Sequence, residues 1–264
     1  MTKTIQQTIV ENLKVRIYEN RSAMGEDAAK DVASRVNELL TTQESVNIIF
    51  AAAPSQNEFL DFLSNRNDVN WNRVNAFHMD EYIGLEQEAP QRFRNFLKER
   101  FFDKVSLHRV YYIDGNASDI EAECNRYADL LKKNPADIVC LGIGVNSHIA
   151  FNDPHVADFN DPLLVKKVDL DQVCRQQQVD DGSFENVRQI PSSAITLTIP
   201  TLMSASYIYC MVPGVSKSKA VYHTLNDELG EEHPSTILRR HLNAILYLDR
   251  DSSSTISEND DSKI

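Results

Sequence analysis

Cysteine is scarce in this 264-residue sequence, and its four cysteines are far apart. No two of them form a C-x-x-C pair, and no histidine stands near them at the spacing of zinc ligands. The sequence therefore indicates neither a disulfide framework nor a metal site. The four thiols are predicted to be reduced and to lie in the core: Cys124, Cys140, Cys174 and Cys210.

Basic residues are also few. The chain has 27 Lys and Arg against 39 Asp and Glu, which gives a formal net charge of -12. We expect no nucleic-acid partner, because binding to a phosphate backbone rewards clustered Lys and Arg with the release of counterions. A small anionic ligand is compatible with this charge, since one pocket need not share the sign of the whole surface.

Long apolar stretches, linkers and internal repeats are absent. No segment approaches eighteen consecutive apolar residues, and residues 1–10 lack the charged start and apolar run of a signal peptide. We therefore expect a cytoplasmic protein with no membrane partner. Residues 1–250 are predicted to form a single domain. Residues 251–264, rich in Ser and Asp, are predicted to form a disordered tail.

Short apolar segments, typical of buried strands, alternate with helical segments along the chain. The predicted strands are residues 46–51, 74–78, 110–113, 137–143, 194–199, 207–212 and 244–248, and the predicted helices are residues 27–40, 91–102, 117–132 and 216–225. This alternation implies crossover connections, and hence an α/β fold with a mainly parallel sheet covered by helices on both faces. Ligands of such sheets bind beyond the carboxyl ends of the strands.

Two of the loops expected at that edge have features of anion-binding sites. Residues 51–57 lead from a strand into a helix, and small side chains near Ala53 would let Ser55 and backbone N–H groups approach an anion. A tight turn with Ser55 as helix N-cap is an equally good interpretation. Residues 212–219 place Lys217 at the start of a helix, where a cation is unfavourable unless an anion is held there. A solvated lysine is the alternative.

Two other loops carry groups suited to acid–base chemistry. Asp80 and Glu81 end a predicted strand, so one carboxylate can reach a ligand while the other faces away. His148 lies in a loop with Gly142 and Gly144, and Asp153 follows it closely enough to orient the imidazole. The alternatives are acids that only cap a loop and a structural histidine. The G-x-G of this loop lacks the third glycine of a dinucleotide-binding motif.

Two of these segments, residues 79–85 (MDEYIGL) and residues 144–154 (GVNSHIAFNDP), resemble the signature segments of glucosamine-6-phosphate deaminases. The resemblance extends over roughly residues 46–248. It implies a modified Rossmann-like sheet, shared with 6-phosphogluconolactonases, and a reaction without metal or cofactor. That reaction converts an amino-sugar phosphate, the small-molecule partner, to a ketose phosphate and ammonia. Family members are often homo-oligomers, commonly hexamers, and some branches are monomers.

The resemblance also implies roles for individual residues. Asp80 would transfer a proton between C2 and C1 of the sugar, and His148 would open the pyranose ring. Lys217 would hold the phosphate together with the loop that contains Ala53 and Ser55. Arg175 is the basic candidate for a family arginine that clamps the phosphate.

The chain departs from the family pattern beside these residues. Asn146 replaces the usual Asp two residues before the histidine, Ser147 replaces a glycine, and Asp153 replaces a glutamate. The glycine-rich phosphate loop of the family is here Ala-Ala-Pro-Ser, in which Pro54 removes one N–H donor. These departures keep two alternatives open: another sugar-phosphate isomerase or a lactone hydrolase on the same fold, and a non-catalytic sugar-phosphate sensor.

Overall fold

The structure is a computed structural model that describes residues 4–180 and 182–256. In this part of the chain eleven strands form two sheets. In chain order the strands are β1 (Gln6–Val10), β2 (Leu13–Tyr18), β3 (Val46–Phe50), β4 (Val74–His78), β5 (Asp80–Tyr82), β6 (Arg109–Tyr111), β7 (Ile138–Leu141), β8 (Val165–Asp169), β9 (Ser193–Leu197), β10 (Tyr207–Val212) and β11 (Ala244–Asp249).

The main sheet has eight strands in the order β1-β2-β11-β10-β7-β3-β4-β6. All of its pairs are parallel except β1–β2, which is an antiparallel hairpin at one edge. The second sheet, β5-β9-β8, is antiparallel. The carboxyl ends of β3, β4, β7 and β10 lie side by side in the main sheet, so the loops that follow them meet at one edge.

The described helices are α1 (Arg21–Leu39), α2 (Asn57–Ser64), α3 (Phe93–Leu97), α4 (Ile120–Lys133), α5 (Gln172–Asp180), α6 (Ile199–Met203) and α7 (Ser218–Asn226). They cover both faces of the main sheet. Along β3, Ile48 packs into a core with α1 and α2, whereas Ile49 packs into a second core with α4 and α7. Because successive strand residues point to opposite faces, a strand buried on both sides reads as a continuous apolar run. The predicted α/β class is confirmed.

All seven predicted strands exist, but one belongs to a different sheet from the rest. β9, predicted as residues 194–199, pairs antiparallel with β5 and β8 in the second sheet. The strands β1, β2, β5 and β8 were not predicted. β1 is an exposed edge strand with polar residues, and β5 has only three residues. Such segments lack the buried apolar run on which a sequence-based prediction depends.

Helix boundaries differ from the predictions at the amino-terminal ends. α1 begins at Arg21 and not at residue 27, because the Asn20 side chain accepts a hydrogen bond from the Ala23 N–H and caps the helix. The segment predicted as helix 91–102 consists of α3 followed by a π-helical turn, Lys98–Phe102. Asn20 and Arg21 are polar, so the start of α1 shows no apolar periodicity from which a helix could be predicted.

Residues 251–256 are folded, which differs from the prediction that a disordered tail begins at residue 251. Ser252 and Ser253 are buried, and the Ser252 N–H donates to the Asp249 carboxylate at the end of β11. The rest of the predicted tail, residues 257–264, lies outside the described residues. None of the helices in the described ranges combines the length and apolar character needed to cross a bilayer.

Candidate active site

The loops at the carboxyl ends of β3, β7 and β10 line a cleft together with the start of β5. Five of the eight predicted site residues line this cleft: Ala53, Ser55, Asp80, His148 and Lys217. Asn146 and Asp153 lie behind His148 and contact its ring. Arg175 is not among the lining residues.

Asp80 is the first residue of β5 and presents a buried carboxyl group to the cleft. Burial, with the neighbouring charge of Glu81, raises the pKa of Asp80 well above its usual range. A carboxylate with a raised pKa is a stronger base, and it exchanges protons more readily near neutral pH than an exposed one does. This position suits transfer of a proton to and from carbon.

Glu81 points away from the cleft and organises the start of α3. Its carboxylate accepts hydrogen bonds from the N–H groups of Tyr82 (3.0 Å), Phe93 (3.1 Å) and Arg94 (3.1 Å). Burial raises the pKa of Glu81 to about 6, although these three donors and Arg92 oppose the shift. The two adjacent carboxyl groups thus face different ways, that of Asp80 toward the cleft and that of Glu81 toward the start of α3.

His78 fixes the backbone next to Asp80. Its Nδ1–H donates to the Asp80 carbonyl (2.8 Å), and its Nε2 accepts from the Ile113 N–H (2.9 Å). These contacts select one neutral tautomer, and burial lowers the pKa of His78 to about 3. His78 is therefore a positioning residue at the junction of β4 and β5.

Asn146 and Asp153 orient the His148 ring from behind. The His148 Nδ1 lies 2.7 Å from Asn146 Oδ1 and 2.9 Å from Asp153 Oδ1, so it carries the proton and donates to these acceptors. The Asn146 Nδ2 also donates to Asp153 Oδ1 (2.9 Å). In the neutral ring the proton on Nδ1 leaves Nε2 as the basic nitrogen.

Asp153 supplies the negative charge of this group. It is fully buried, which by itself would raise its pKa, but the His148 charge and the hydrogen bonds from His148 and Asn146 lower the pKa below its usual value. An ionised Asp153 accepts the hydrogen bond from the His148 Nδ1–H. The shorter side chain of aspartate therefore still reaches His148, and the amide of Asn146 holds both partners in place.

In the loop around His148 the backbone is strained, and the imidazole ring packs closely against Gly144. The ring lies against Gly144, where an added Cβ would come within 2.1 Å of His148 Cε1. Ser147 (φ 68°) and Ala150 (φ 50°) adopt the left-handed region on either side of the histidine. The carbonyl of Ser147 accepts a hydrogen bond from the Ser235 N–H (2.9 Å). Strain of this kind is commonly retained at functional sites.

The residues predicted to bind an anion lie on the loops that follow β3 and β10. Ala53 precedes a 3-10 turn, Pro54–Gln56, and the Ser55 Oγ accepts from the Gln56 Nε2 (3.1 Å). Neither this turn nor α2 has a side-chain N-cap, so Ser55 is not a capping residue. Lys217 ends the 3-10 turn before α7 and is only 5% exposed, which contradicts the solvated alternative.

Arg175 lies elsewhere, and its predicted contact with phosphate is not supported by its position. Its guanidinium donates to the carbonyls of Val187 (2.7 Å) and Ile190 (3.0 Å), so it holds the segment that leads into β9. Arg175 is on α5, where neighbouring residues point in different directions around the helix. Residue 177, two positions along, faces the cleft instead.

Sequence reasoning missed three residues of α5 at the site. Gln177 and Gln178 line the cleft, and the Gln177 Oε1 accepts from the Val145 N–H (2.9 Å). Cys174 is buried beside His148 and Asp153, with ligand atoms of the three residues within 4.8 Å of one another. Burial and the nearby Asp153 raise the pKa of the Cys174 thiol. The i, i+3 spacing of residues 174 and 177 was the available signal.

Comparison with known proteins shows a family match over most of the chain. Residues 19–246 match the family described as glucosamine-6-phosphate isomerases/6-phosphogluconolactonase. A glucosamine-6-phosphate deaminase of Bacillus cereus (strain B4264) is 33% identical over 234 residues, 88% of this chain and 87% of the relative. A second, from strain G9842, is 36% identical over 193 residues, 73% and 72% of the two chains.

Solved structures agree with these matches. A structure described as a monomeric glucosamine-6-phosphate deaminase superimposes with a TM-score of 0.83 at 26% identity, covering 91% of this chain and 98% of the other. The 6-phosphogluconolactonase of Thermotoga maritima gives a TM-score of 0.73 at 18% identity, covering 90% and 99%. The second similarity concerns the fold alone.

Proposed function

The chain belongs to the glucosamine-6-phosphate isomerase/6-phosphogluconolactonase family, and we propose that it is an amino-sugar-phosphate deaminase. The proposed reaction converts glucosamine 6-phosphate, or an epimer, and water to a ketose 6-phosphate and ammonia. Such a reaction belongs to the catabolism of amino sugars, including N-acetylglucosamine.

The observation that carries this proposal is the pairing of two acid–base groups in one cleft. Asp80 presents a carboxylate with a raised pKa, and His148 presents an imidazole backed by Asn146 and Asp153. An aldose–ketose conversion needs both kinds of group, because one proton moves between oxygens and another moves between carbons.

In the first step His148 opens the ring. It moves the proton of the C1 hydroxyl to the ring oxygen while the C1–O5 bond breaks and the C1 aldehyde forms. Asp153 and Asn146 stabilise the imidazole during the transfer, since both lie within hydrogen-bond distance of its Nδ1. A neutral imidazole can accept one proton and release another without a net change in charge.

In the second step Asp80 takes the proton from C2, and the C2–H electron pair forms a C1=C2 double bond as the aldehyde oxygen gains a proton. Asp80 then returns its proton to C1, the amine nitrogen loses one, and a C2=N double bond results. Water adds to C2, and the C–N bond breaks to release ammonia and the ketose phosphate.

The substrate phosphate is proposed to bind at Lys217 and the loop of Ala53 and Ser55. Lys217 is a cation at the end of a 3-10 turn and lines the cleft together with Ala53 and Ser55, so its ammonium group is placed to pair with a phosphate. We leave Arg175 out of this proposed site, since its guanidinium donates to the carbonyls of Val187 and Ile190.

A lactone hydrolase is the second candidate, and the fold similarity to a 6-phosphogluconolactonase and the residue changes at Asn146 and Pro54 motivate it. Hydrolysis of a lactone needs a base for water and no carboxylate that shuttles protons between carbons. A sugar-phosphate sensor would bind the substrate and not convert it.

The decisive test is release of ammonia and ketose phosphate by the purified chain, offered glucosamine 6-phosphate and galactosamine 6-phosphate separately without added metal. Turnover of one substrate is expected and identifies the epimer. Turnover of 6-phosphogluconolactone in place of both amino sugars would establish the hydrolase. Binding of an amino-sugar phosphate without turnover would establish the sensor.

Location and assembly complete the proposal. We infer a cytoplasmic enzyme without a nucleic-acid partner, in keeping with the acidic net charge of -12. The similar deaminase structure is described as monomeric. Light scattering of the purified chain separates a monomer of 30.0 kDa from a homo-oligomer.

A further inference from the structure

We propose that His223, Asp227 and His233 form a binding site for a divalent transition-metal ion, separate from the active-site cleft. His223 is on α7, Asp227 directly follows this helix, and His233 precedes a 3-10 helix, Pro234–Arg240. The His223 Nδ1 lies 2.6 Å from Asp227 Oδ2, and the His233 Nε2 lies 3.1 Å from the same oxygen. One ligand atom of each residue lies within 4.8 Å of the other two.

The types of ligand in this cluster fit a specific class of ion. Two imidazole nitrogens and one carboxylate oxygen are a common ligand set for zinc, and they also suit cobalt and nickel. Ligands about 2 Å from a tetrahedral ion are about 3.3 Å apart. The two measured N–O distances are shorter than this by less than about 1 Å. Because the two rings are stacked, one of them must turn about its Cβ–Cγ bond before both nitrogens can direct their lone pairs at one ion.

The backbone on both sides of the cluster is already fixed. The buried Arg239 guanidinium donates to the carbonyls of Leu225 and Asp227, which closes the end of α7. The His233 N–H donates to the Gly230 carbonyl (3.1 Å), and the Thr236 hydroxyl donates to the His233 carbonyl (2.7 Å). Because the peptide groups are held, an ion would have to order only the three side chains.

The imidazole rings of His223 and His233 are stacked on each other. Their centroids are 3.9 Å apart, with an angle of 7° between the planes. Their side chains are 22% and 24% exposed, and that of Asp227 is 32% exposed. Three protein ligands leave a fourth tetrahedral position for water, and partial exposure gives an ion a path of entry.

A bound ion would join α7 to the segment that supports the active-site loop. His223 is followed by Thr224, whose hydroxyl lies 2.6 Å from the Ser235 hydroxyl. The Ser235 N–H donates to the carbonyl of Ser147, next to His148. The ion would therefore act as a structural clip for residues 227–235. This inference does not depend on the proposed reaction.

Titration calorimetry of the metal-free full chain with Zn²⁺ tests the site. We expect one equivalent to bind with a dissociation constant in the micromolar range or below. His223→Gln and Asp227→Asn should each weaken binding at least about tenfold. His108→Gln, which changes an exposed histidine outside the cluster, should leave the affinity unchanged. Zn²⁺ at 100 times its dissociation constant should raise the thermal midpoint by about 5 °C.

A second histidine-containing cluster makes a further control necessary, since His148 and Asp153 lie near Cys174. Co²⁺ at the proposed site should give visible d–d bands without a thiolate charge-transfer band, and Cys174→Ser should keep the first equivalent. The proposal is overturned if the wild-type chain binds no Zn²⁺ tightly, if His223→Gln binds as well as wild type, or if Cys174→Ser alone loses binding.

Discussion

At the scale of single residues, Asp80 is the side chain whose chemistry the proposed reaction needs most. Asp80→Asn should lower kcat by about 10²–10⁴-fold with little change in KM, because an amide of the same shape cannot accept the C2 proton. Steady-state kinetics with the amino-sugar phosphate measures both constants. Asp169→Asn is the matched control, since Asp169 is exposed on β8. An unchanged kcat in Asp80→Asn would remove Asp80 from the mechanism.

Asn146 stands where the resemblance implies an acid, and its amide makes a hydrogen bond that an acid could not make. Its Nδ2 donates to Asp153 Oδ1 at 2.9 Å, so Asn146→Asp would place a second carboxylate, half-buried, against the buried carboxylate of Asp153. We expect this variant to lose about 1–3 kcal/mol of unfolding free energy and part of its kcat.

The double variant Asn146→Asp with Asp153→Asn tests the same pair. It restores one acid and one amide next to His148, so it should be more stable and more active than Asn146→Asp alone. Urea unfolding and kinetics on the four members of the cycle measure the coupling. If Asn146→Asp is instead more active than the wild type, the missing acid limits ring opening, and the amide has no positioning role.

At the scale of elements, the loop after β7 determines where the imidazole lies. Gly144 leaves no room for a side chain, since a Cβ there would meet His148 Cε1 at 2.1 Å and Nδ1 at 2.3 Å. Gly144→Ala should therefore displace the ring and lower kcat to about the level of His148→Ala. Gly230→Ala is the control, because no atom lies within 4 Å of its added Cβ. Full activity of Gly144→Ala would show that the ring position is not critical.

At the scale of the whole molecule, His78 makes folding stability depend on pH. Its folded pKa of about 3 lies below the ordinary value of 6.5. Between these values the unfolded chain binds a proton that the folded chain does not, so His78 lowers stability as the pH falls below 6.5. The loss approaches about 1.4 kcal/mol per pH unit.

The comparison of wild type with His78→Gln isolates this effect. Glu81, whose folded pKa is raised to about 6, acts with the opposite sign, since its protonated form favours the folded state. Glu81 is present in both chains, so its contribution cancels in the difference. Urea unfolding should show the stability advantage of the wild type shrinking from pH 7 to pH 5. A constant difference would contradict the neutral, buried state of His78.

Most local elements, and the residue types of the loops that line the cleft, could be predicted from the amino-acid sequence alone. The apolar runs of β3, β4, β10 and β11 were recognisable because strands buried on both faces need no polar alternation. The loop motifs identified Asp80, His148 and Lys217, since their residue types and their places after strands point to acid–base and anion-binding chemistry. The exposed strand β1 and the three-residue strand β5 were not predicted, because neither contains an apolar run.

Which side chains meet could be seen only in the folded chain. It placed β9 in a second sheet, turned Arg175 toward backbone carbonyls, and brought Gln177 to the cleft and Cys174 to the buried side of His148 from α5. It also joined His223 and His233 through Asp227. Apolar periodicity is a property of neighbouring residues, whereas the direction of a side chain depends on strand register and helix rotation, which contacts between distant segments set.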